Sequence, residues 1–196
     1  MVIQTDKHYY TPEEYLELEA KAEYKSEYRD GEIIPIPGGT TNHNTILVNF
    51  CRKFPVRINN EIYRTYISDI KLWINNYRLY TYPDLMVVRG KPIYEGKNPT
   101  NIINPFLIVE VLSKSTKDYD RKEKFKYYRS IPDFQEYIMI DQYSFNVEQF
   151  FQLNNGQWIF QEYDGEDAIL TLKSVDLEIL LRDIYELVDF AEKQEE

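Results

Sequence analysis

Three charged residues lie where an ordinary hydrophobic core would not place them. Asp84 comes directly before the apolar run "LMVV", Glu110 interrupts the run "FLIVEVL", and Lys124 lies among the aromatic residues of "KFKYY". Carboxylates are the ligands that a hard cation such as Mg²⁺ prefers, and an ammonium can stabilise the negative charge of a phosphate under attack. We therefore predict that these three side chains converge on one metal site.

Glu110 is the strongest of the three anomalies. The segment "FLIVEVLS" is short and almost wholly apolar, which is typical of a strand covered on both faces. A charged and unpaired carboxylate there would cost several kcal/mol, so Glu110 must be neutral, ion-paired, at a cleft or bound to a metal. Two interpretations stay open: a buried ion pair with Lys124, or a Mg²⁺ site (Mn²⁺ being a substitute) shared with Asp84.

Lys124 is predicted to face the sheet. The segment "DYDRKEKFKYYRS" predicts a helix that ends before Pro132, and at about 100° per residue Tyr127 and Tyr128 flank Lys124. An inward ammonium could hold the scissile phosphate and orient the attacking water; alternatively, it extends past the tyrosines to solvent. The opposite face carries basic residues that could contact DNA phosphates or only water: Lys122, Lys126 and Arg129.

The elements around these residues predict the fold class. "YPDLMVV" and "FLIVEVLS" predict strands, the Lys124 helix follows, and "QEYIMID" predicts another strand. "NVEQFFQL" and "WIFQEY" then predict an antiparallel hairpin around Asn155-Gly156, and "LLRDIYELVDFAEKQEE" predicts an amphipathic helix that could buttress the sheet or mediate a homodimer. We expect one α/β domain (mixed α+β) over residues 1–196, with a central mixed sheet flanked by helices and a C-terminal antiparallel hairpin extension.

A scaffold helix is predicted near the N-terminus. "TPEEYLELEA" has Thr11 as N-cap, proline at the first helical position and Glu14 to close a capping box. Tyr15 and Leu18 are expected to face inward.

Two residues further along could join the site. Glu32 shares a strand face with Ile34 and Ile36, so it is either a solvent-exposed acid at the strand end or an accessory acid. His43 falls in the first turn of a helix that begins near Thr41, where a histidine is usually a capping or surface residue but could contact substrate.

Composition narrows the function classes. The net charge of −10 argues against simple non-specific DNA binding, although residues 114–129 carry seven basic and three acidic side chains. The one cysteine, Cys51, excludes an intramolecular disulfide and a cysteine-based zinc cluster. With no apolar signal core and no apolar run as long as a membrane span, we expect a cytoplasmic protein without a membrane partner. A small-molecule enzyme lacks support, because no phosphate-binding glycine loop, nucleophile elbow or histidine cluster is present.

The motifs "YPD", "IVEVLSKST", "YDRKEKFKYYR" and "IPDFQEYIMID" resemble the Uma-two family of restriction endonucleases, within the PD-(D/E)xK nuclease-like superfamily. The resemblance covers nearly the whole chain, including "YTPEEYLELE", "DGEI" and "NHN". It implies a restriction-endonuclease-like fold in which Asp84 and Glu110 are the two acids. The usual lysine position, two residues after the second acid, is Leu112, and the resemblance implies that Lys124 on the following helix replaces it.

The resemblance also implies roles for other residues and for the protein. Glu32 matches the acid of the early "GE" motif, His43 matches the following histidine, and Gln142 lies where some relatives have a polar site residue. The implied function is a Mg²⁺-dependent DNA endonuclease. The alternative, which the acidic net charge favours, is a non-catalytic nuclease-fold protein that acts as a binding or regulatory module.

Overall fold

The computed structural model describes residues 8–96 and 99–190. The strands in this part of the chain are β1 (Ser26–Arg29), β2 (Glu32–Pro35), β3 (Arg57–Ile58), β4 (Glu61–Ile67), β5 (Lys71–Ile74), β6 (Leu79–Thr81), β7 (Leu85–Arg89), β8 (Asn101–Ile102), β9 (Leu107–Leu112), β10 (Glu136–Asp141), β11 (Asn146–Gln152), β12 (Trp158–Asp164), β13 (Ile169–Leu172) and β14 (Leu177–Leu180). The helices are α1 (Pro12–Glu19), α2 (Thr41–Lys53), α3 (Lys117–Tyr119), α4 (Phe125–Tyr128) and α5 (Leu181–Ile184). A 3₁₀ turn spans Asn75–Tyr77 and a π-helical segment spans Asp120–Lys124.

A seven-stranded mixed sheet has strand β9 at its centre, in the order β12-β11-β10-β9-β7-β4-β3. Strands β9 and β10 are parallel, whereas β7 and β11 pair antiparallel with them. Successive side chains of β9 point to opposite faces, and both faces are buried: Val109 belongs to one hydrophobic cluster and Ile108 to another. This confirms the prediction of a strand covered on both sides.

Different elements cover the two faces of this sheet. On the Val109 side, α2, α5 and the β13–β14 hairpin contribute Phe50, Leu181 and Leu170 to the cluster. On the Ile108 side, a five-stranded sheet of order β2-β1-β6-β5-β8 contributes Leu72, and α4 contributes Tyr128. The predicted mixed sheet flanked by helices is confirmed, and a second sheet is added to it.

The predicted start of α1 is confirmed in detail. The Thr11 hydroxyl accepts from the Glu14 backbone N–H at 3.1 Å, and the Glu14 carboxylate accepts from the Thr11 backbone N–H at 2.7 Å. Tyr15 is fully buried, but Leu18 is 48 % exposed, so its predicted inward orientation is wrong. The helix is only eight residues long and buries little beyond Tyr15. No helix in the described ranges is long and apolar enough to cross a membrane.

The Lys124 helix differs from the continuous α-helix that the sequence predicts. It runs as α3, the π-helical segment Asp120–Lys124 and α4. The buried Tyr137 of β10 donates its hydroxyl hydrogen to the Asp120 backbone carbonyl at 3.0 Å, so this carbonyl has a hydrogen-bond partner outside the helix. A wider turn of this kind is frequent at functional sites.

The C-terminal prediction is confirmed in part. The hairpin of β11 and β12 forms in the predicted register around Gly156, whose φ is +81°. The predicted terminal helix is wrong for most of its length within the described residues: α5 is four residues long and the chain has a positive φ at Leu187. The residues directly before α5, Leu177–Leu180, form strand β14, which is stabilised by side-chain contacts across its antiparallel pairing with β13. The last residues of the predicted helix, 191–196, lie outside the described residues.

Candidate active site

The structure brings the two predicted acids and the predicted lysine together on the Ile108 side of the sheet. The Lys124 ammonium lies 3.0 Å from Oε1 of Glu110, and Oε2 of Glu110 accepts from the Asp84 backbone N–H at 3.3 Å. Glu110 and Lys124 are buried, with exposed side-chain fractions of 2 % and 10 %, whereas Asp84 is 23 % exposed. The cluster therefore opens to solvent at Asp84.

Strand pairing places the two acids side by side. Leu85 pairs with Val109 across β7 and β9, so the residue before Leu85 lies next to the residue after Val109. Beyond this point β9 continues past the start of β7, and the Val111 backbone N–H donates to Oδ2 of Asp84 at 2.8 Å. The Asp84 carboxylate thus accepts the hydrogen bond that a backbone carbonyl of a neighbouring strand would accept, and strand β9 fixes its position.

Lys124 sits between two buried acids. Its ammonium lies 2.8 Å from Oδ1 of Asp120, one turn earlier, and Tyr128 donates to Oε1 of Glu110 at 2.7 Å. Thr116 donates to the second Asp120 oxygen at 2.7 Å. Asp120 is absent from the sequence prediction, although its position four residues before Lys124 places it on the same helix face.

The charges of this cluster are coupled. Burial acts against the charged form of Lys124, but Glu110 and Asp120 outweigh it and raise the Lys124 pKa well above its ordinary value. Burial raises the pKa of Glu110 well above its ordinary value, and the Lys124 ammonium opposes that rise. Lys124 is therefore a permanent cation at neutral pH, held by the acids around it.

His43 lies against the first acid. Its Nε2 is 3.0 Å from Oδ2 of Asp84, and its backbone N–H donates to the N-cap hydroxyl of Thr40 at 3.1 Å. Burial acts against the imidazolium, but the contact with Asp84 outweighs it and raises the His43 pKa. The same contact lowers the Asp84 pKa against the effect of burial. The imidazole thus fixes the orientation of the carboxylate.

Gln142 holds the helix that carries His43. The Thr40 hydroxyl donates to Oε1 of Gln142 at 2.6 Å, and Nε2 of Gln142 donates to the Leu112 carbonyl at 3.0 Å. Gln142 is 1 % exposed. This buried amide links the start of α2 to the end of β9. Gln142 therefore supports the site from behind and is not accessible from solvent.

A further acid, Glu27 on β1, adjoins Lys124 and was missed by the sequence prediction. Its carboxylate accepts from the Thr81 hydroxyl and, at 3.2 Å, from the Tyr119 hydroxyl, and it contributes to the raised pKa of Lys124. Glu27 is 6 % exposed because the five-stranded sheet folds over the site. Glu32 lies on the edge strand β2, opposite Arg29 in register, and its proposed role as an accessory acid stays a prediction.

Three further basic residues of this helical stretch face away from the acids. Lys122, Lys126 and Arg129 are exposed, as the helical spacing predicts. The Lys126 ammonium lies 5.6 Å from the Tyr77 ring centre, and the Arg129 guanidinium lies 5.6 Å from the Phe125 ring centre. Their contact with DNA stays a prediction.

The oxygen donors fit a hard cation with few protein ligands. Both contacts to the Asp84 carboxylate, from His43 and Val111, fall on Oδ2, which leaves Oδ1 without a hydrogen bond within the described part of the chain. In residues 8–96 and 99–190, no group of three or more His, Cys, Asp or Glu side chains is placed to hold a metal ion. Mg²⁺ takes one or two carboxylates and fills its other positions with water and phosphate oxygens, and its binding at Asp84 and Glu110 stays a prediction.

Comparisons with known proteins identify relatives in sequence and in fold. The family model Uma2, described as "Putative restriction endonuclease", matches residues 12–182. The uncharacterized protein sll1609 of Synechocystis sp. is 42 % identical over 86 % of this chain and 94 % of its own length, and slr1290 of the same organism is 35 % identical over 89 % and 90 %. A crystal structure titled as a putative nuclease belonging to DUF820 from Anabaena variabilis has a TM-score of 0.69 at 22 % identity, covering 90 % of this chain and 97 % of that one. The last match shows the same fold.

Proposed function

The chain belongs to the Uma2 family of restriction-endonuclease-like proteins, and from that premise we propose that it is a Mg²⁺-dependent endonuclease that hydrolyses DNA phosphodiester bonds. One observation carries the proposal: the Glu110 carboxylate lies within hydrogen-bonding distance of both the Lys124 ammonium and the Asp84 backbone N–H. Two carboxylates and an ammonium are the groups that a metal-assisted phosphodiester hydrolysis needs.

Each residue has a task that its contacts allow. Asp84 presents Oδ1 towards the solvent side, while Val111 and His43 hold Oδ2. Glu110 supplies the second carboxylate from the adjacent strand. A bound Mg²⁺ would polarise the phosphate and lower the pKa of a coordinated water. A metal ion that binds Asp84 would therefore meet a carboxylate whose orientation is already fixed.

Lys124 keeps one hydrogen-bond donor for the substrate. An ammonium has three N–H donors, and contacts with Glu110 and Asp120 use two of them. The third can bind a phosphate oxygen and stabilise the charge that develops on it during attack. Glu27 adds negative potential at the ammonium and so helps to keep it protonated.

One observation favours the second candidate, a nuclease-fold protein that binds a partner without catalysis. The Glu110–Lys124–Asp120 ion pairs neutralise buried charge without a metal ion. An acidic chain of net charge −10 also lacks the overall positive charge of many DNA-binding proteins.

Cleavage by matched lysine variants tests the proposal. Labelled single-stranded and duplex DNA would be incubated with Mg²⁺ or EDTA and with wild-type protein, Lys124→Met or Lys122→Ala. We expect cleavage that requires Mg²⁺, is abolished by Lys124→Met and survives Lys122→Ala with a changed salt dependence. The methionine conserves volume at the buried position. Equal loss in both variants would contradict the assignment of Lys124 as the lysine that faces the site. The absence of Mg²⁺-dependent cleavage by the wild-type protein would favour the non-catalytic alternative.

A further inference from the structure

A cleft lies beside the site, on the side of the five-stranded sheet. Its volume is about 260 Å³. It is lined by two arginines, two tyrosines, an asparagine and one acid: Arg29, Arg78, Tyr77, Tyr127, Asn76 and Asp30. Cations therefore outnumber acids here, in a chain whose net charge is −10.

The two tyrosines form an aromatic wall. The ring centres of Tyr77 and Tyr127 lie 4.6 Å apart, and both side chains are half-buried rather than covered. The Lys126 ammonium lies 5.6 Å from the Tyr77 ring centre, so a cation also borders this wall. Aromatic faces beside cations are the combination that binds nucleobases and the phosphates that link them.

The cleft is continuous with the candidate active site. The Arg29 guanidinium lies 4.3 Å from the Tyr119 ring centre, and the Lys124 ammonium lies 5.7 Å from the same ring centre on the other side of the path. The Tyr119 and Tyr127 rings are 6.5 Å apart. Neighbouring rings and cations thus connect the inward lysine to Tyr77 through Tyr119 and Tyr127.

The rim of the cleft is held in an unusual backbone conformation. Asp30 and Arg78 both have positive φ, at 42° and 47°, although neither is glycine. Their turns are joined by a hydrogen bond from the Asp30 N–H to the Arg78 carbonyl at 3.1 Å and by their side chains at 3.0 Å. Such backbone conformations cost free energy and concentrate at binding sites, where they fix the position of ligand-contacting side chains.

We propose that this cleft binds an unpaired nucleotide of a nucleic-acid strand, with its base against Tyr77 and Tyr127 and a phosphate at Arg29 or Arg78. The inference rests on the proposed function, because it names the form of substrate that the active site receives. The strand reaches Lys124 past Tyr119. Each guanidinium has five N–H donors, and the contacts with Glu27 and Asp30 use only some of them.

Stacking on tyrosine selects an unpaired base. In a continuous duplex the faces of the bases are covered by their neighbours, and only their edges are accessible in the grooves. A base in a single strand, a bulge or an end can turn its face to an aromatic ring. The cleft therefore predicts a preference for single-stranded or locally unpaired substrate over uninterrupted duplex.

Binding without divalent metal tests this inference separately from catalysis. Fluorescence anisotropy in EDTA would measure the affinity of the full chain for a labelled DNA strand of about twelve nucleotides, the same sequence in RNA, and the corresponding DNA duplex. The variants are Tyr77→Ala, Tyr127→Leu, Tyr77→Phe and the control Tyr24→Ala, whose tyrosine is 79 % exposed and does not line the cleft.

We expect the wild-type protein to bind a single strand more tightly than the duplex. Tyr77→Ala and Tyr127→Leu should each weaken single-strand binding by roughly tenfold, since stacking on one ring contributes about that factor. Tyr77→Phe, which keeps the ring, and Tyr24→Ala should bind within about twofold of wild type. The DNA and RNA arms identify which strand chemistry is preferred, and either preference supports the cleft.

Three outcomes would overturn the inference: no measurable single-strand binding, tighter binding of the duplex, or equal affinity of the Tyr77→Ala and Tyr24→Ala variants. Circular dichroism checks that each variant is folded, and Tyr127→Leu, which retains an apolar side chain, decides the question if Tyr77→Ala is unfolded. Absence of Mg²⁺-dependent cleavage by the wild-type protein would refute the catalytic proposal without changing these affinities. The two failures are therefore distinguishable.

Discussion

Two buried glutamates lie on the adjacent parallel strands β9 and β10, and their charge is satisfied in different ways. Glu110 contacts the Lys124 ammonium at 3.0 Å and lies beside the partly exposed Asp84. Glu136, which is fully buried, accepts hydrogen bonds from the Gln149 amide, the Ser174 hydroxyl and the backbone N–H groups of Lys173 and Ser174.

The difference separates a candidate catalytic acid from a structural one. The donors around Glu136 come from the neighbouring strand β11 and from the turn between β13 and β14, so this carboxylate holds the hairpin on the sheet. Glu110 instead contacts a cation, Lys124, and lies beside Asp84, whose side chain is partly exposed. A buried acid held only by neutral donors does not indicate a catalytic site. A buried acid that lies beside other ionisable groups and near solvent is a candidate for one.

The largest expected effect is on cleavage by the two isosteric variants. Glu110→Gln removes a carboxylate from the proposed metal site and should lower the rate of Mg²⁺-dependent DNA cleavage by about a hundredfold or more. Glu136→Gln should leave the rate within about twofold of wild type, because Glu136 touches none of the proposed reacting groups. Initial rates at saturating Mg²⁺ measure both. A comparable loss in Glu136→Gln would remove the distinction between the two acids.

The next largest effect is on the free energy of unfolding, for which two lysines of the same helical stretch are compared. Lys124→Ala leaves Glu110 and Asp120 buried without their cation, which should lower the free energy of unfolding by about 3–5 kcal/mol at neutral pH. Lys122→Ala, at an exposed position, should change it by less than about 0.5 kcal/mol. Urea unfolding measures both values. Similar values for the two variants would mean that the ion pairs contribute little.

The pH dependence of stability sharpens the description of Glu136. Burial raises its pKa above the ordinary value of 4.5, although Ser174, Lys173 and Gln149 oppose the rise. The folded state therefore binds this proton more tightly than the unfolded state. The resulting stabilisation is fully present below pH 4.5 and is lost as the pH rises through the folded-state pKa.

Glu136→Gln does not titrate at this position and serves as the reference. The free energy of unfolding of wild type minus that of Glu136→Gln should fall as the pH rises above 4.5. Urea unfolding of both proteins at several pH values measures this difference. A difference that increases with pH would show that the four hydrogen bonds lower the Glu136 pKa below that of the unfolded chain.

The smallest expected effect is on stability and concerns Gln142, whose amide links Thr40 to the end of β9. Gln142→Ala removes the link between Thr40 and the end of β9 and should lower the free energy of unfolding by about 1–2 kcal/mol. Cleavage should fall as well, since the helix that holds His43 against Asp84 is less firmly placed. Unfolding and cleavage measured on the same preparation test this. A loss of stability with unchanged cleavage would place Gln142 with Glu136, as structural only.

Periodicity and burial cost were sufficient to predict the centre of the molecule. The apolar run around Glu110 indicated a doubly covered strand, and helical spacing indicated that Lys124 faces inward; both are confirmed. These predictions succeed because they depend on one element and its immediate partner. The capping box at Thr11 is local in the same sense.

The residues that the sequence did not predict depend on contacts between distant elements. Glu27 is buried because the five-stranded sheet that contains it packs over the site, and the segment "SEYR" has no pattern that shows this. Glu136 opens its strand, where an acid would ordinarily reach solvent. The predicted terminal helix ends early because α2 contacts the chain that follows α5: the Asn49 amide donates to the Ile184 and Glu186 carbonyls, and Leu187 has a positive φ.

The central claim is that Asp84 and Glu110 bind a divalent metal ion, rather than serving only an ion-pair network with Lys124. Isothermal titration calorimetry with Mn²⁺ on wild type, the double variant Asp84→Ala/Glu110→Ala and Glu136→Gln tests it most directly. We predict saturable binding to wild type and to Glu136→Gln, and its loss in the double variant. Equal binding by all three proteins, or none by wild type, would contradict the claim.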